Sequence, residues 1–382
     1  MFNDCVATLN IGTADLTLSV AERSVNGAFS FRAVESVKYY SYDNGDFHDV
    51  GELELKIAKL FDDLKKNSDI SKISTVFVGV PGEFSKVVSK NYKITFGKIK
   101  KISESDVAYL YDHAYQHDDS EYQLINRSAS YFIVNNYKTH EPIGKKAISL
   151  SARIFYGFAI NHFVDVIDGI MKKIEVSNVK YVLQDYADAR YLFAIPERDA
   201  CKLLINVGYA TSSLSIVCGD GLLFSRAFPI GGGIISAYLA DGLNCDFAVA
   251  EALKDKLNLG LKDVDGASYI LSLGEVGDFA FSRNESNRLA KEVLDLISEN
   301  CDKAVSSCTL KVPSDIDVAF TGEGICSVRG AVEYMAMRLG VFPNVVAPKV
   351  PHYNKPNFTS RLALIDTALD LAKNKLFFYS IT

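Results

Sequence analysis

The chain of 382 residues is 48% hydrophobic and 23% charged, a composition typical of globular proteins and a length that favours two or three domains. Its formal net charge is −6, from 41 basic and 47 acidic residues with no long basic run, so a nucleic-acid-binding protein is disfavoured. The seven cysteines form no C-x-x-C pair, no signal peptide is visible, and no apolar stretch is long enough to cross a bilayer. We therefore expect a cytoplasmic protein with reduced cysteines, and we set aside secreted and membrane-spanning proteins.

The first eighty residues predict the beginning of an α/β domain. Residues 5–20 are two apolar strand-like runs that meet at a turn containing Gly12 and Thr13. Residues 51–67 carry apolar side chains at helical spacing, which predicts an amphipathic helix. Residues 76–80 are a short continuous apolar run, typical of a strand that is buried on both faces.

A more polar segment follows, over residues 81–156, with strand-like runs of its own. Its one predicted helix begins after Ser103, a suitable N-cap residue, with Asp106 at the third helical position. This segment predicts a small inserted domain. Residues 157–174 return to helical periodicity, and another strand begins at 181–184.

The opening pattern returns after residue 202. The segment LLINVGYATSSLSIV repeats the order of VATLNIGTADLTLSV: an apolar strand, an Asn, a Gly, a small polar turn with Thr, and a second strand. The two asparagines are Asn10 and Asn206. A single copy would be an ordinary hairpin, but two copies in equivalent positions favour a duplicated architecture.

Glycine-rich turns precede two predicted helices in the second half. The triple glycine at 231–233 should leave free backbone N–H groups at a helix N-terminus, as an anion site requires. The segment FTGEG at 320–324 is a second glycine turn between a strand and a helix. Each turn alone is also consistent with simple turn chemistry.

In this order, the motifs resemble the actin-like ATPase superfamily and, within it, the FtsA family of bacterial cell-division proteins. The resemblance assigns NIGT at 10–13 and NVGYATSS at 206–213 to the two phosphate loops, and PIGG at 229–232 to the turn that follows the second. It assigns FTGEG to the adenosine loop, Glu251 and Lys254 to nucleoside contacts, and Gln184 to the orientation of the attacking water. EPIG at 141–144 matches a signature of the FtsA insertion. The implied ATP-binding residues are Asn10, Gly12, Thr13, Asn206, Gly208, Thr211, Gly231, Gly232, Glu251, Lys254, Gly322 and Gly324.

The resemblance implies an α/β fold of the actin-like type, a duplicated ribonuclease H-like architecture with two lobes and an FtsA-type α+β insertion. The implied boundaries are 1–80 and 157–200 for the first lobe, 81–156 for the insertion, 201–244 and 313–382 for the core of the second lobe, and 245–312 for its small subdomain.

The departures from the family pattern concern charge. The family places an Asp at the start of each phosphate loop, where this chain has Asn10 and Asn206, and a further Asp where it has Ser213. Magnesium prefers anionic oxygen ligands, so we expect no tightly bound metal and weak or absent ATP hydrolysis. ATP binding stays open, because Tyr209 adds bulk and Glu323 adds negative charge where the family has glycine.

The resemblance implies a scaffold or adaptor in bacterial cell division that binds an FtsZ-type partner. Two alternatives stay open: a PilM-like cytoplasmic adaptor of a pilus or secretion platform, and a functional actin-like ATPase of the sugar-kinase or chaperone branch. The missing carboxylates count against the second.

The resemblance also places the FtsZ-type partner on 245–312, where Arg288 and Lys291 could meet an acidic peptide. It implies head-to-tail self-association through the insertion. The final segment fits a helix packed on the domain, and its LFFY run is too short to anchor the chain. We therefore expect recruitment to the division site at the inner face of the membrane to be indirect.

Overall fold

The computed structural model describes residues 5–24, 29–116, 119–262, 264–274, 277–310 and 315–373. The strands are β1 (Cys5–Ile11), β2 (Asp15–Arg23), β3 (Phe29–Lys38), β4 (Tyr42–Asp43), β5 (Asp46–Phe47), β6 (Thr75–Val80), β7 (Ser85–Lys101), β8 (Tyr122–Val134), β9 (Tyr137–Thr139), β10 (Lys146–Ile160), β11 (Asn178–Leu183), β12 (Lys202–Val207), β13 (Ser212–Cys218), β14 (Gly221–Phe228), β15 (Ser268–Ser272), β16 (Asp278–Ser282) and β17 (Asp317–Thr321).

The helices are α1 (Val50–Asn67), α2 (Glu104–His113), α3 (Asn161–Lys173), α4 (Gln184–Leu192), α5 (Ile195–Asp199), α6 (Gly233–Gly242), α7 (Phe247–Lys254), α8 (Arg283–Ser307), α9 (Glu323–Cys326), α10 (Ala331–Leu339) and α11 (Thr359–Lys373). Helix α1 confirms the predicted amphipathic helix. Asp49 caps it by accepting a hydrogen bond from the Glu52 backbone, and one face buries Leu53, Ile57, Leu60, Phe61 and Leu64.

The two matched motifs occupy equivalent places in two sheets. The first sheet has the order β11-β6-β1-β2-β3, with β1 antiparallel to β2 and parallel to β6. The second sheet has the order β14-β13-β12-β17, so the hairpin β12–β13 corresponds to β1–β2 and β17 to β6. This common order confirms the duplicated architecture.

The polar segment folds around a sheet of its own, with the order β7-β10-β8-β9. Helix α2 packs on one face, and its N-terminus carries the expected capping box of Ser103 and Asp106. A separate apolar core lies between helix and sheet, and includes Leu110, Phe132, Leu150 and Ile154.

The chain divides into two units, one comprising 1–202, 215–226 and 360–382 within the described ranges, the other 203–214 and 227–359. Helix α11 thus belongs to the first unit, whereas the family resemblance implies that residues 313–382 belong to the second lobe. The reason is a set of contacts that sequence spacing does not show. The Arg23 guanidinium lies 2.8 Å from Asp370 Oδ1 and 3.3 Å from Asp366 Oδ1, and Leu362, Leu364 and Ile365 of α11 are fully buried.

The tip of the β13–β14 hairpin, residues 215–226, also belongs to the first unit. Asp220 accepts a hydrogen bond from Arg198 at 2.6 Å, and its carbonyl accepts one from Ser128 of β8. Beside this turn, Cys201 and Cys218 form a disulfide with their Cα atoms 4.2 Å apart. The expectation that all seven cysteines are reduced is therefore wrong for this pair, which spacing along the chain could not reveal.

Candidate functional site

The second phosphate-loop motif forms a tight turn between β12 and β13. The Gly208 N–H donates to the Thr211 carbonyl at 2.9 Å, which closes the loop on itself. Asn206, at the end of β12, is half-buried, and its Oδ1 lies 2.5 Å from where a Cβ on Gly322 would stand. Its carboxamide therefore packs directly against Gly322.

The glycines of the second unit pack against one another. A Cβ on Gly232 would overlap the backbone of Gly324, and a Cβ on Gly324 would overlap the carbonyl oxygen of Gly208. Gly322 has a φ of 95°, which favours glycine for a second reason. These predicted site residues are therefore brought together, and only glycine fits where their backbones meet.

This packing uses N–H groups that the triple glycine at 231–233 predicts to be free. The Gly232 N–H donates to the Gly208 carbonyl at 2.9 Å, and the Gly233 N–H donates to the Tyr209 carbonyl at 2.7 Å. The expectation of free donors at the start of α6 is therefore wrong for these two groups. The residue before them, Gly231, has no room for a side chain, because a Cβ there would overlap the Tyr209 carbonyl oxygen.

The two nucleoside-contact candidates are paired with each other. Lys254 Nζ lies 2.9 Å from Glu251 Oε1, and the same carboxylate oxygen accepts a hydrogen bond from Ser236 Oγ of α6. The spacing i, i+3 on α7 favours this pair, and Lys254 is 7% exposed. Above them, the Lys254 ammonium lies 5.3 Å from the centroid of the Tyr209 ring, and this ring also contacts Gly233.

The position of the Tyr209 side chain could not be predicted from the motif. The sequence shows that a bulky residue replaces glycine there, but it does not show that the ring lies over Lys254, because 45 positions separate the two residues. A nucleotide that bound the Lys254 ammonium would compete with the Tyr209 ring and with the Glu251 carboxylate for it.

The first phosphate-loop motif lies in the first unit, between β1 and β2. The Gly12 N–H donates to the Asp15 carbonyl at 2.9 Å, and the Gly12 carbonyl accepts a hydrogen bond from Ser41 Oγ at 2.7 Å. Thr13 is buried and Asn10 is half-buried. This loop is thus also closed by its own backbone.

Gln184, the candidate for orienting water, is hydrogen-bonded within the first unit. Its Nε2 donates to Asp188 Oδ1 at 2.8 Å and to the Ser360 carbonyl at 2.9 Å, while its Oε1 lies against Gly79. The amide that the resemblance assigns to catalysis thus ties the start of α4 to the start of α11.

The carboxyl group of Glu83, in the first unit, has an abnormally high pKa. Its pKa is raised to about 7, mainly by burial and in smaller part by the charge of the neighbouring Asp43, while a hydrogen bond from the Gly45 backbone lowers it.

The candidate partner surface lies on α8. Arg288 is exposed and pairs with Glu285 at 2.6 Å and with Glu292, while Lys291 Nζ lies 5.8 Å from the centroid of the Tyr334 ring. Both cations are therefore partly engaged within the chain. In the same unit, a cavity of about 390 Å³ is lined by Leu243, Asn244, Cys245, Asp246, Val249, Phe279 and Phe281.

Among the described residues, no cluster of three or more His, Cys, Asp or Glu side chains is arranged to hold a metal ion. Within those same ranges, no helix is both long and apolar enough to span a bilayer.

No protein-family model matches the chain. The chain is 21% identical over 375 residues to cell division protein FtsA of Enterococcus hirae, which covers 96% of this chain and 83% of that protein. It is 20% identical over 254 residues to FtsA of Neisseria meningitidis serogroup B, covering 64% of this chain and 61% of the relative. That second match thus spans less than two thirds of the relative.

Two solved structures share the fold. A PilM–PilN type IV pilus biogenesis complex superposes with a TM-score of 0.61 at 15% identity, covering 95% of this chain and 98% of the other. MreB5 of Spiroplasma citri bound to ADP gives a TM-score of 0.58 at 11% identity, covering 97% and 98%. The chain is therefore FtsA-like in sequence, and its fold is that of the actin-like ATPases.

Proposed function

We propose that this protein is an FtsA-like scaffold or adaptor of bacterial cell division, with weak or absent ATP hydrolysis. In this proposal it is cytoplasmic, binds an FtsZ-type partner, self-associates head to tail, and reaches the division site at the inner face of the membrane through its partners. The sequence similarity to FtsA over most of the chain supports the division role.

One observation carries the proposed loss of hydrolysis. The elements that should bind nucleotide in the second unit are bonded to one another: Tyr209 lies over Lys254, Lys254 pairs with Glu251, and Gly232 donates to Gly208. The neutral amides of Asn10 and Asn206 stand where the family has carboxylates. Because Mg²⁺ binds hard anionic oxygens, these amides favour weak metal capture.

Losing preorganised electrostatic groups costs on the order of 10²–10³ in rate per group. Because this loss is large, steady-state ATPase activity tests the proposal. The activity of the pure wild-type protein is compared with that of a double variant, Asn10→Asp with Asn206→Asp. A matched control changes the exposed Asn91 and Asn354 to Asp, adding the same charge elsewhere. We expect weak or no turnover in the wild type and the control, and gain of Mg-dependent nucleotide binding in the double variant.

Wild-type turnover at the rate of an ordinary actin-like ATPase would refute the pseudoenzyme proposal. It would instead favour the functional ATPase alternative, which the likeness to ADP-bound MreB5 keeps in view.

A second candidate is a PilM-like cytoplasmic adaptor, favoured by the fold likeness to the PilM–PilN complex over 95% of this chain. Affinity purification of the full chain from its native cells separates the two. Recovery of an FtsZ-type protein supports the division adaptor, and recovery of a PilN-type protein supports the pilus adaptor.

A further inference from the structure

One end of the inserted domain exposes three isoleucines that the sequence keeps apart. Ile99 is 71% exposed, Ile143 is 53% exposed and Ile148 is 50% exposed. The hydrogen bonds from the Ile102 N–H to the Lys145 carbonyl and from the Gly144 N–H to the Ile102 carbonyl hold the two segments side by side. We call residues 96–101 and 143–148 the insertion tip.

A bulge between β7 and β10 presents one of these isoleucines. The pairing runs regularly from Ser85 with Ala159 to Thr95 with Ser149, and then shifts so that Lys100 pairs with Ala147. Gly97 lies within this bulge with a φ of 72° and no atom within 4 Å of where a Cβ would stand. The positive φ of Gly97 therefore favours glycine at this position, and Lys98 and Ile99 lie in the part of β7 where the pairing with β10 shifts.

Lysines surround the exposed isoleucines. Four of them are exposed: Lys98, Lys101, Lys145 and Lys146. Lys101 and Lys146 lie directly opposite each other on β7 and β10. Lys100 is engaged with Asp106 at 2.7 Å, and Lys145 Nζ lies 2.5 Å from Thr139 Oγ1. The whole chain carries a net charge of −6, so this concentration of positive charge is local to the tip.

Exposed charge alone needs no partner, since lysines on edge strands also prevent unwanted strand pairing. Neighbouring large apolar side chains are different, because their exposure has a cost that binding would remove. Isoleucines set among lysines complement a surface that is both acidic and apolar.

We propose that the insertion tip binds an acidic polypeptide segment that carries apolar side chains. Its glutamates or aspartates would meet Lys98, Lys101 and Lys146, while its apolar side chains cover Ile99 and Ile148. This surface involves none of the nucleotide-motif residues and neither Arg288 nor Lys291, so variants at the tip test it separately from ATP hydrolysis and from the α8 surface.

A narrow segment fits better than a planar anionic membrane. Glu104 and Glu141 are exposed at the same end of the domain. A membrane wide enough to cover the tip would also press its negative headgroups against these carboxylates, whereas a single extended segment can avoid them.

The test uses the full chain and a fluorescein-labelled peptide of four Glu-Glu-Leu repeats, with a Gln-Gln-Leu peptide of the same length as its neutral counterpart. Binding is measured by fluorescence anisotropy at low and high salt. We expect the acidic peptide to bind, the neutral one to bind at least about tenfold more weakly, and added salt to weaken the acidic complex.

Two variants and a matched control locate the surface. Lys98→Glu with Lys101→Glu should weaken acidic-peptide binding by roughly tenfold or more, and Ile99→Ser with Ile148→Ser should weaken it as well. The control, Lys59→Glu with Lys65→Glu, changes exposed lysines of α1 and should leave binding within about twofold. Circular dichroism checks that every variant is folded.

Equal weakening by the tip variant and the control would overturn the proposal, as would equal binding of the two peptides. The last experiment measures membrane binding, by sedimentation of the protein with vesicles of phosphatidylcholine that contain phosphatidylglycerol. If vesicles bind through Lys98 and Lys101 while the acidic peptide does not, the tip is a membrane contact and the proposal is wrong.

Discussion

The Lys254 ammonium lies over the ring of Tyr209, 5.3 Å from the ring centroid. In this position the tyrosine covers the nitrogen that the family resemblance assigns to the nucleoside. A cation–π contact of this kind contributes about 0.5–1 kcal/mol at exposed sites and more where water is excluded. The contact therefore opposes nucleotide binding by an amount that mutation can measure.

Replacing Tyr209 by Gly should raise nucleotide affinity. The change removes the ring from Lys254, and a cation–π energy of about 0.5–1 kcal/mol corresponds to roughly two- to fivefold in the dissociation constant. Isothermal titration calorimetry with ADP and with ATP measures the effect. Tyr209→Phe keeps an aromatic ring and should show no gain, and equal affinities for Gly and Phe variants would contradict the prediction.

The glycine packing predicts a large difference between two Gly→Ala changes. Gly232→Ala would push a methyl group into the Gly324 backbone and should lower the free energy of unfolding by about 1–3 kcal/mol or more. Gly169 lies on α3 with no atom within 4 Å of its missing Cβ, so Gly169→Ala should stabilise by about 0.5–1 kcal/mol. Urea unfolding compares the two, and a neutral Gly232→Ala would show that the backbones are not in contact.

The raised pKa of Glu83, about 7 against an ordinary value of 4.5, predicts a pH-dependent loss of stability. The folded state holds this proton more tightly than the unfolded state, so the free energy of unfolding should fall as the pH rises from about 4.5 to 7. Glu83→Gln should therefore stabilise at pH values above this range, by about 1–2 kcal/mol once partial solvent exposure is allowed for.

Urea unfolding of wild type and Glu83→Gln across this pH range measures the difference. It should vanish in acid, where both side chains are neutral. Glu104→Gln, at an exposed position, controls for loss of a surface charge. A constant difference at every pH would rule out titration of Glu83 as the cause.

Charge reversal on α8 tests the proposed partner surface. Arg288→Glu with Lys291→Glu should weaken binding of the FtsZ-type partner at low salt while changing stability little, since the ion pairs of Arg288 are exposed. Surface plasmon resonance at two salt concentrations measures binding. The double variant Lys59→Glu, Lys65→Glu serves again as control, and unchanged binding in the α8 variant would remove this patch from the proposal.

Self-association is the remaining proposal with a direct measurement. A head-to-tail contact that does not close produces filaments, so the mean mass in sedimentation velocity should grow with protein concentration. The experiment is run with and without nucleotide and lipid. A single monomer boundary in every condition would argue strongly against filaments.

The repeated motif was enough to predict much of the fold, because strand–turn–strand patterns are local and the two copies share the order of residues around Asn10 and Asn206. Helix α1 could equally be predicted, from the helical spacing of its apolar residues. The site was only partly predictable. Glu251 and Lys254 lie three apart on one helix, so their pairing could have been anticipated, whereas the position of Tyr209 over Lys254 depends on tertiary packing.

The membership of α11 in the first unit was not predictable for the same reason. The sequence predicts that the final segment packs as a helix, and the structure buries Leu362, Ile365, Ala368 and Leu369 while it exposes Ala372. An apolar stripe on a helix does not identify the surface against which the helix packs. The LFFY run lies outside the described residues. The prediction of free N–H donors at Gly232 and Gly233 is wrong because a glycine run is typical both of an anion site and of close backbone contact.

The return of α11 to the first unit has a consequence for biosynthesis. Arg23 and Asp370 are 347 positions apart, so the first unit still lacks one of its packed helices when most of the chain has left the ribosome. Until then Gly79 has no Leu364 against it, and Gln184 has no Ser360 carbonyl to bond. A nascent chain of this protein should therefore expose apolar surface of its first unit until α11 has been synthesised, and acquire resistance to proteolysis only once α11 has emerged from the ribosome.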